Sequence, residues 1–328
     1  MLFALALAAH AAMTRPIVSA PPAPAAPSGT RALLVEPDDG LGALEAQIAR
    51  AASSIDVVMY ELDDPSVEQA LARAAARGVR VRVLLCGGLL QPKNVAAEKD
   101  LSVHGVSVRW SPDHFAYTHE KAFVFDQATA DILTFNLVAR YAPTGRDFGV
   151  VDDDRADVSA IETTFDADWN GTDVRPPSGA DLVWSPGSEP ALVSLINSAS
   201  SSLEIYNEEM ADRPVIDALK NAATRGVDVR VVMTYGGAYR RAFQELTAAG
   251  VRLRTFAASA PLYIHAKMIL ADGARAFVGS ENFSYTSTHD NRELGLVMTD
   301  ADVLSRLDEV FVGDWRTARP MNSGARSK

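Results

Sequence analysis

The sequence predicts an α/β protein in which one half is written twice. Three observations carry that prediction. Landmarks recur at a fixed interval: Ser53-Ser54-Ile55-Asp56-Val57 resembles Ser201-Ser202-Leu203-Glu204-Ile205, and Arg77-Gly78-Val79 is matched by Arg225-Gly226-Val227, both 148 residues on. Phe165, Asp168 and Trp169 return as Phe311, Asp314 and Trp315, 146 residues on. A period this long marks a duplicated domain rather than a solenoid, whose repeats run to about 20–50 residues. Each copy also alternates strand and helix patterns. Finally, 328 residues with 48% hydrophobic and 22% charged residues suit a globular chain, which at about 150 residues per domain has roughly two domains.

The elements follow in the same order in both halves. An apolar run (55–60, 203–206) reads as a buried strand. Apolar residues at helical spacing follow: Val67, Leu71 and Ala74 in one half, Val215, Leu219 and Ala222 in the other. An Arg-Gly pair ends each helix, because glycine supplies the left-handed cap. A β-branched run (79–85, 227–233) is the next strand. Strand–helix–strand favours a parallel pair with a right-handed crossover. Strands at 121–125 and 267–270 precede further short ones at 130–134 and 274–278. Helical spacing returns at 156–169 and 300–315. The breaker cluster Arg175-Pro176-Pro177-Ser178-Gly179 marks the join. The predicted organisation is therefore a first half over 31–175, a second over 176–320 and a tail over 321–328.

The formal charge of −11 sets the chain against phosphate backbones, so a general nucleic-acid binder is disfavoured. One cysteine, Cys86, excludes an intramolecular disulfide and a multi-cysteine metal site. It is expected to be a packed thiol at a strand end. Residues 1–15 contain an apolar run with a small-x-small Ala9-His10-Ala11 site, and 16–30 are a Pro- and Ala-rich tether. Together they suggest an exported protein. The Asp152-Asp153-Asp154 run is expected to be a solvated turn.

Among six histidines, one pair obeys the duplication: His119 and His265, 146 residues apart. The pattern His119-x-Lys121-x4-Asp126 reappears as His265-x-Lys267-x4-Asp272, and Asn136 and Asp147 correspond to Asn282 and Glu293. Histidine and lysine two residues apart on a strand share a face, so both reach one ligand. An ammonium beside an imidazole suits a bound anion. Amides at Asn136 and Asn282, expected at the end of the next strand, bond anionic oxygens. Asp147 or Glu293 can take the second ring proton of a histidine, fixing its tautomer.

At these residues the sequence resembles the phospholipase D superfamily, marked by H-x-K-x4-D. The resemblance runs from about residue 30 to about 320. The second half adds Gly279-Ser280-x-Asn282, Ser287, Asn291 and Glu293, similar to the family's downstream segment. The first half departs from it: Leu133-Thr134 stands for Gly-Ser, Tyr141 and Gly145 for Ser and Asn, and Asp147 for Glu.

The resemblance implies two α/β/α sandwich halves about a pseudo-twofold axis, with one active site between them. It implies catalysis by His119, Lys121, His265 and Lys267 together with Asp126 and Asp272, which either take part or hold the loop or a neighbouring strand, with no cofactor and no metal. His119 is expected to attack phosphorus and His265 to act as the acid. Asn136, Asn282, Ser280 and Thr134 would bind phosphate, and Asp147 and Glu293 would orient the histidines. The expected activity is phospholipid hydrolysis to phosphatidate and headgroup alcohol by a monomer. A cardiolipin synthase-like phosphatidyl transferase and a metal-independent endonuclease are the alternatives. Glu61 and Glu209, each after the first strand of its half, face either the site mouth or the surface.

Overall fold

The computed structural model describes residues 29–321. The first half runs β1 (Arg31–Glu36), α1 (Gly42–Arg50), β2 (Ser54–Met59), α2 (Pro65–Ala76), β3 (Arg80–Leu85), α3 (Gln91–Val103), β4 (Ser107–Trp110), β5 (Ala122–Phe125), β6 (Thr129–Leu133), β7 (Gly145–Asp152) and α4 (Arg155–Asn170). The second begins with β8 (Leu182–Ser185), α5 (Glu189–Ser198), β9 (Ser202–Tyr206), α6 (Arg213–Thr224), β10 (Asp228–Thr234), α7 (Arg240–Ala248) and β11 (Arg252–Phe256). It ends with β12 (Tyr263–Ile264), β13 (Met268–Ala271), β14 (Arg275–Gly279), α8 (Tyr285–His289), β15 (Glu293–Met298), α9 (Ala301–Thr317) and β16 (Arg319–Pro320).

Each half is a mixed sheet. The first is ordered β1-β7-β6-β5-β2-β3-β4 and the second β16-β11-β10-β9-β13-β14-β15-β8. β2 pairs parallel with β3, and β9 with β10, as the strand–helix–strand reading requires. Aspartates cap the crossover helices: Asp64 accepts from Ser66 and Val67 N–H on α2, and Asp212 from Val215 N–H on α6. Gly78 and Gly226 follow these helices with φ of 91° and 93°, the left-handed turn that needs no Cβ.

Three large apolar clusters hold the layers. One packs the outer helices of the first half against β2, β3 and β5, and a second does the same for the other half. The third lies centrally and draws on both halves, from Val124, Phe148 and Ile161 to Tyr206, Met268 and Phe311. It contains the apolar faces of α4 and α9, which join the two sheets into one body.

The acidic run is not a solvated turn. Asp152 is buried against Arg31 at 3.3 Å, and Asp154 caps α4 by accepting from Ala156 N–H at 2.8 Å. Only Asp153 faces outward, accepting from the Thr30 hydroxyl at 2.8 Å. Cys86 is buried just past β3, and burial pushes its thiol up to about 11.

Candidate active site

The segments carrying the histidines leave their own half and pair with the other. β12 lies parallel to the start of β7, with Tyr263 opposite Gly145 and Ile264 opposite Arg146. By the same rule Thr118 bridges to Arg292. The Arg146 carbonyl accepts from His265 N–H at 3.2 Å and Ala266 N–H at 2.8 Å. The Arg292 carbonyl accepts from His119 N–H at 2.8 Å and Glu120 N–H at 3.0 Å. The arginine side chains cross as well. Arg146 donates from Nε to Asp314 at 2.7 Å, and Arg292 from Nε to Asp168 at 2.9 Å, each with a second bond from Nη2. A buried fork-on-carboxylate pair fixes orientation as well as distance. Four backbone bonds and two ion pairs therefore hold both histidines to the partner half.

The carboxylates are exchanged in the same way. His119 Nδ1 lies 2.7 Å from Glu293 Oε2, and His265 Nδ1 lies 2.9 Å from Asp147 Oδ1. A carboxylate only accepts, so each Nδ1 carries the proton and each Nε2 is left for the cleft. Glu293 is fixed by Ser287 Oγ at 2.7 Å and Asn291 Nδ2 at 3.0 Å. Asp147 is fixed by the Thr134 hydroxyl at 2.6 Å. The missing Ser and Asn of the first half are thus missing from the support of Asp147, which serves His265.

Burial sets the charges. It pushes the His119 ring down to about 4, helped by Lys121 and opposed by Glu293. Burial and Lys267 bring the Lys121 ammonium down to about 7, against the pull of Glu293. Burial would raise the Glu293 carboxyl, but His119, Lys121 and Ser287 outweigh it and hold it below its usual range. Lys121 Nζ donates to the His119 carbonyl, and Lys267 Nζ lies 3.1 Å from His265 Nε2.

Both histidines, with Asn136 and Asn282, line one cleft of about 610 Å³. The side-chain oxygens of the two asparagines have no hydrogen-bond partner among the described residues. Both asparagines stand three residues beyond their strands, β6 and β14, rather than at the strand ends. Glu61 and Glu209, left between mouth and surface by the sequence, both line the cleft.

Two predicted site residues take other places, and the two motif aspartates take the structural one of their two expected roles. Asp126 accepts from the backbone N–H groups of Ala52, Ser53 and Ser54 and from the Ser53 hydroxyl. Burial alone would raise its carboxyl; these donors hold it at about 2. Asp272 clamps Ser200, Ser201 and Ser202 alike and is also held low. Both sit with φ near +55°, at 53° and 56°, in the turn after the motif strand, and neither lines the cleft. They brace the entry of β2 and β9. Thr134 and Ser280 are fully buried and correct the phosphate-binding expectation. Thr134 carries Asp147, and the Ser280 hydroxyl accepts from Leu294 N–H at 3.1 Å.

One residue at the reacting atoms was missed. Glu208 Oε2 lies 3.4 Å from His265 Nε2 and 3.6 Å from Lys267 Nζ. Its counterpart 148 residues earlier is Tyr60, whose ring stands edge-on to His119 with centroids 4.5 Å apart. The pair escaped notice because the repeat preserves the position and not the residue type.

The fold and the paired motifs define a duplicated, pseudo-symmetric chain with one shared cleft. A family model described as "Cardiolipin synthase, PLD-like domain" matches it twice, over residues 44–169 and 192–315. The chain belongs to the phospholipase D superfamily. Cardiolipin synthase of Listeria welshimeri is 23% identical to it over 328 residues, covering 86% of this chain and 68% of that one. Cardiolipin synthase of Geobacillus kaustophilus is 24% identical over 339 residues, covering 88% and 66%. Among solved structures, phosphatidylserine synthase of Haemophilus influenzae shares 12% identity at a TM-score of 0.68, covering 89% of this chain and 87% of that one. Polyphosphate kinase of Porphyromonas gingivalis shares 13% at a TM-score of 0.69, covering 91% and 50%. At these identities the structural likeness is one of fold. The chain spans about two thirds of the length of the synthases and half that of the kinase.

The relatives also correct the expectation of export. The curated relatives named above are bacterial cardiolipin synthases, a membrane-lipid synthesis class that does not call for export. The leader, and the tether up to residue 28, lie outside the described residues. Among the described residues no helix is long and apolar enough to cross a membrane.

Proposed function

We propose that this protein is a phosphatidyl transferase of the cardiolipin synthase kind, acting on phospholipid at a membrane surface as a monomer. The observation that carries the reading is the crossed pair: two histidines in one cleft, each oriented by a carboxylate of the other half. Similarity to cardiolipin synthases over most of the chain moves the preference from hydrolysis, favoured by sequence alone, to transfer.

His119 is the nucleophile, because burial keeps its ring neutral. Its Nε2 attacks phosphorus, and the bond from phosphorus to the headgroup oxygen breaks. His265 gives that oxygen its proton; with Asp147 on one ring nitrogen and Glu208 near the other, it is placed to hold one. An acceptor hydroxyl then attacks phosphorus, passes its proton to His265 and releases His119. Lys121, Lys267, Asn136 and Asn282 stabilise the charge on the non-bridging oxygens.

Cardiolipin is two phosphatidyl groups on one glycerol, so phosphatidylglycerol is both donor and acceptor in the simplest test. Phosphatidylglycerol vesicles with protein and EDTA should yield cardiolipin and glycerol by mass spectrometry. Phosphatidate as the sole product would establish a hydrolase and overturn the transferase reading.

A further inference from the structure

The pseudo-symmetry fails at one position facing the reacting atoms. On the His119 side stands Tyr60, its ring also 5.1 Å from Lys121 Nζ. On the His265 side stands Glu208, an anion. We propose that Glu208, steadied by Tyr263, docks the second hydroxyl of a vicinal-diol acceptor and so sets the preference for polyols over simple alcohols in the transfer step. This rests on the transferase reading above.

The geometry leaves room for that role. Glu208 Oε1 accepts from the Tyr263 hydroxyl at 2.8 Å, which fixes the carboxylate plane. Its Oε2 stands 3.4 and 3.6 Å from the two nitrogens beside it, beyond a good hydrogen bond. Glu208 and Tyr263 both line the cleft, and a carboxylate oxygen has room to accept more than one bond there. Burial would raise the carboxyl, yet His265, Lys267 and Tyr263 hold it at about 2, so it is an acceptor throughout the working pH range.

An acceptor whose reacting hydroxyl meets His265 Nε2 brings a neighbouring hydroxyl within reach of Glu208. In the step itself the acceptor oxygen bonds to phosphorus, the bond from His119 Nε2 to phosphorus breaks, and the acceptor proton passes to His265 Nε2. An ammonium in place of the second hydroxyl would be set against the Lys267 ammonium, 3.6 Å from Glu208 Oε2. Tyr60 offers no carboxylate, so the same selection does not arise on the nucleophile side.

The test is a competition. Full-length protein acts on phosphatidylglycerol vesicles with equal 1,2-propanediol and 1-propanol, and the two phosphatidyl alcohols are quantified by mass spectrometry. A hydrogen bond to a charged group predicts a diol preference of about tenfold or more. Glu208→Ala should bring the ratio near one, and Tyr263→Phe should give an intermediate value. A ratio is independent of how much protein is active. If Glu208→Ala gives no product, Tyr263→Phe decides by the same ratio. No diol preference in the unaltered protein, or a preference unchanged in the variants, overturns the subsite alone. The absence of both phosphatidyl alcohol and cardiolipin from the products of the unaltered protein overturns the transferase reading and this inference with it, whereas cardiolipin without phosphatidyl diol overturns the subsite alone.

Discussion

The two half-sites share a frame and differ in what surrounds the reacting nitrogen. His119 is backed by Glu293, which Ser287 and Asn291 both hold, and faces the aromatic edge of Tyr60. His265 is backed by the shorter Asp147, held by Thr134, and faces the carboxylate of Glu208. The lysines and asparagines, to which we assign the phosphate, are the same residue types on both sides. The parts that decide whether a ring carries a proton are not. The residues shared by the two halves are those assigned to the phosphate, and the residues that differ are those beside the ring nitrogens.

The largest effects should come from the rings themselves. His119→Ala and His265→Ala, made separately, should each lower turnover at least about 10³-fold, because the two act as one unit. Half the activity left in either variant would show two separate sites.

Next come the carboxylates, where the comparison is sharpest. Glu293→Gln and Asp147→Asn keep the shape but remove the charge that fixes each tautomer. Turnover should fall by about 10²–10⁴-fold, and more for Glu293, which is fully buried and more firmly held. Steady-state kcat read against KM checks this, since substrate affinity should change little.

The pH profile separates the halves in another way. With His119 held down to about 4, its nucleophilic form persists until the pH falls through that value. The acid limb of kcat/KM for the unaltered protein should therefore lie near 4. An acid limb near 6.5, the ordinary histidine value, would mean that burial does not govern this ring.

Stability should show the crossed arginines. Arg292→Met strands Asp168 in the interior and should cost about 3–5 kcal/mol in denaturant unfolding, and Arg146→Met should do the same through Asp314. The smallest effect is expected at the clamps. Asp126→Asn should cost about 1–3 kcal/mol while sparing turnover. Its folded carboxyl lies at about 2, below the unfolded value. The clamp's contribution is thus present above about pH 4 and lost as the pH falls toward 2.

Much of the fold was legible because its signals are local. Strand runs, the helix faces of α2 and α6, their Arg-Gly ends and the paired motifs all lie within short windows repeated at one interval. What joins the halves was not legible, since Arg146–Asp314 and Arg292–Asp168 span 168 and 124 residues. A signal did exist. Arg146 and Arg292 stand 146 residues apart, as Asp168 and Asp314 do, and the interval that found the histidines would have found them. Asp126 and Asp272 stood between catalysis and a structural role because motif spacing cannot say which end of a strand a side chain serves. Thr134 and Ser280 were read as phosphate ligands because spacing does not report burial.

The most direct test of the account is the site of the covalent intermediate. Protein mixed with short-chain phosphatidylglycerol and quenched rapidly should gain the mass of one phosphatidyl group, and peptide mapping should place it on His119. An adduct on His265, or none during turnover, would contradict the assignment of neutral nucleophile and proton carrier to the two halves.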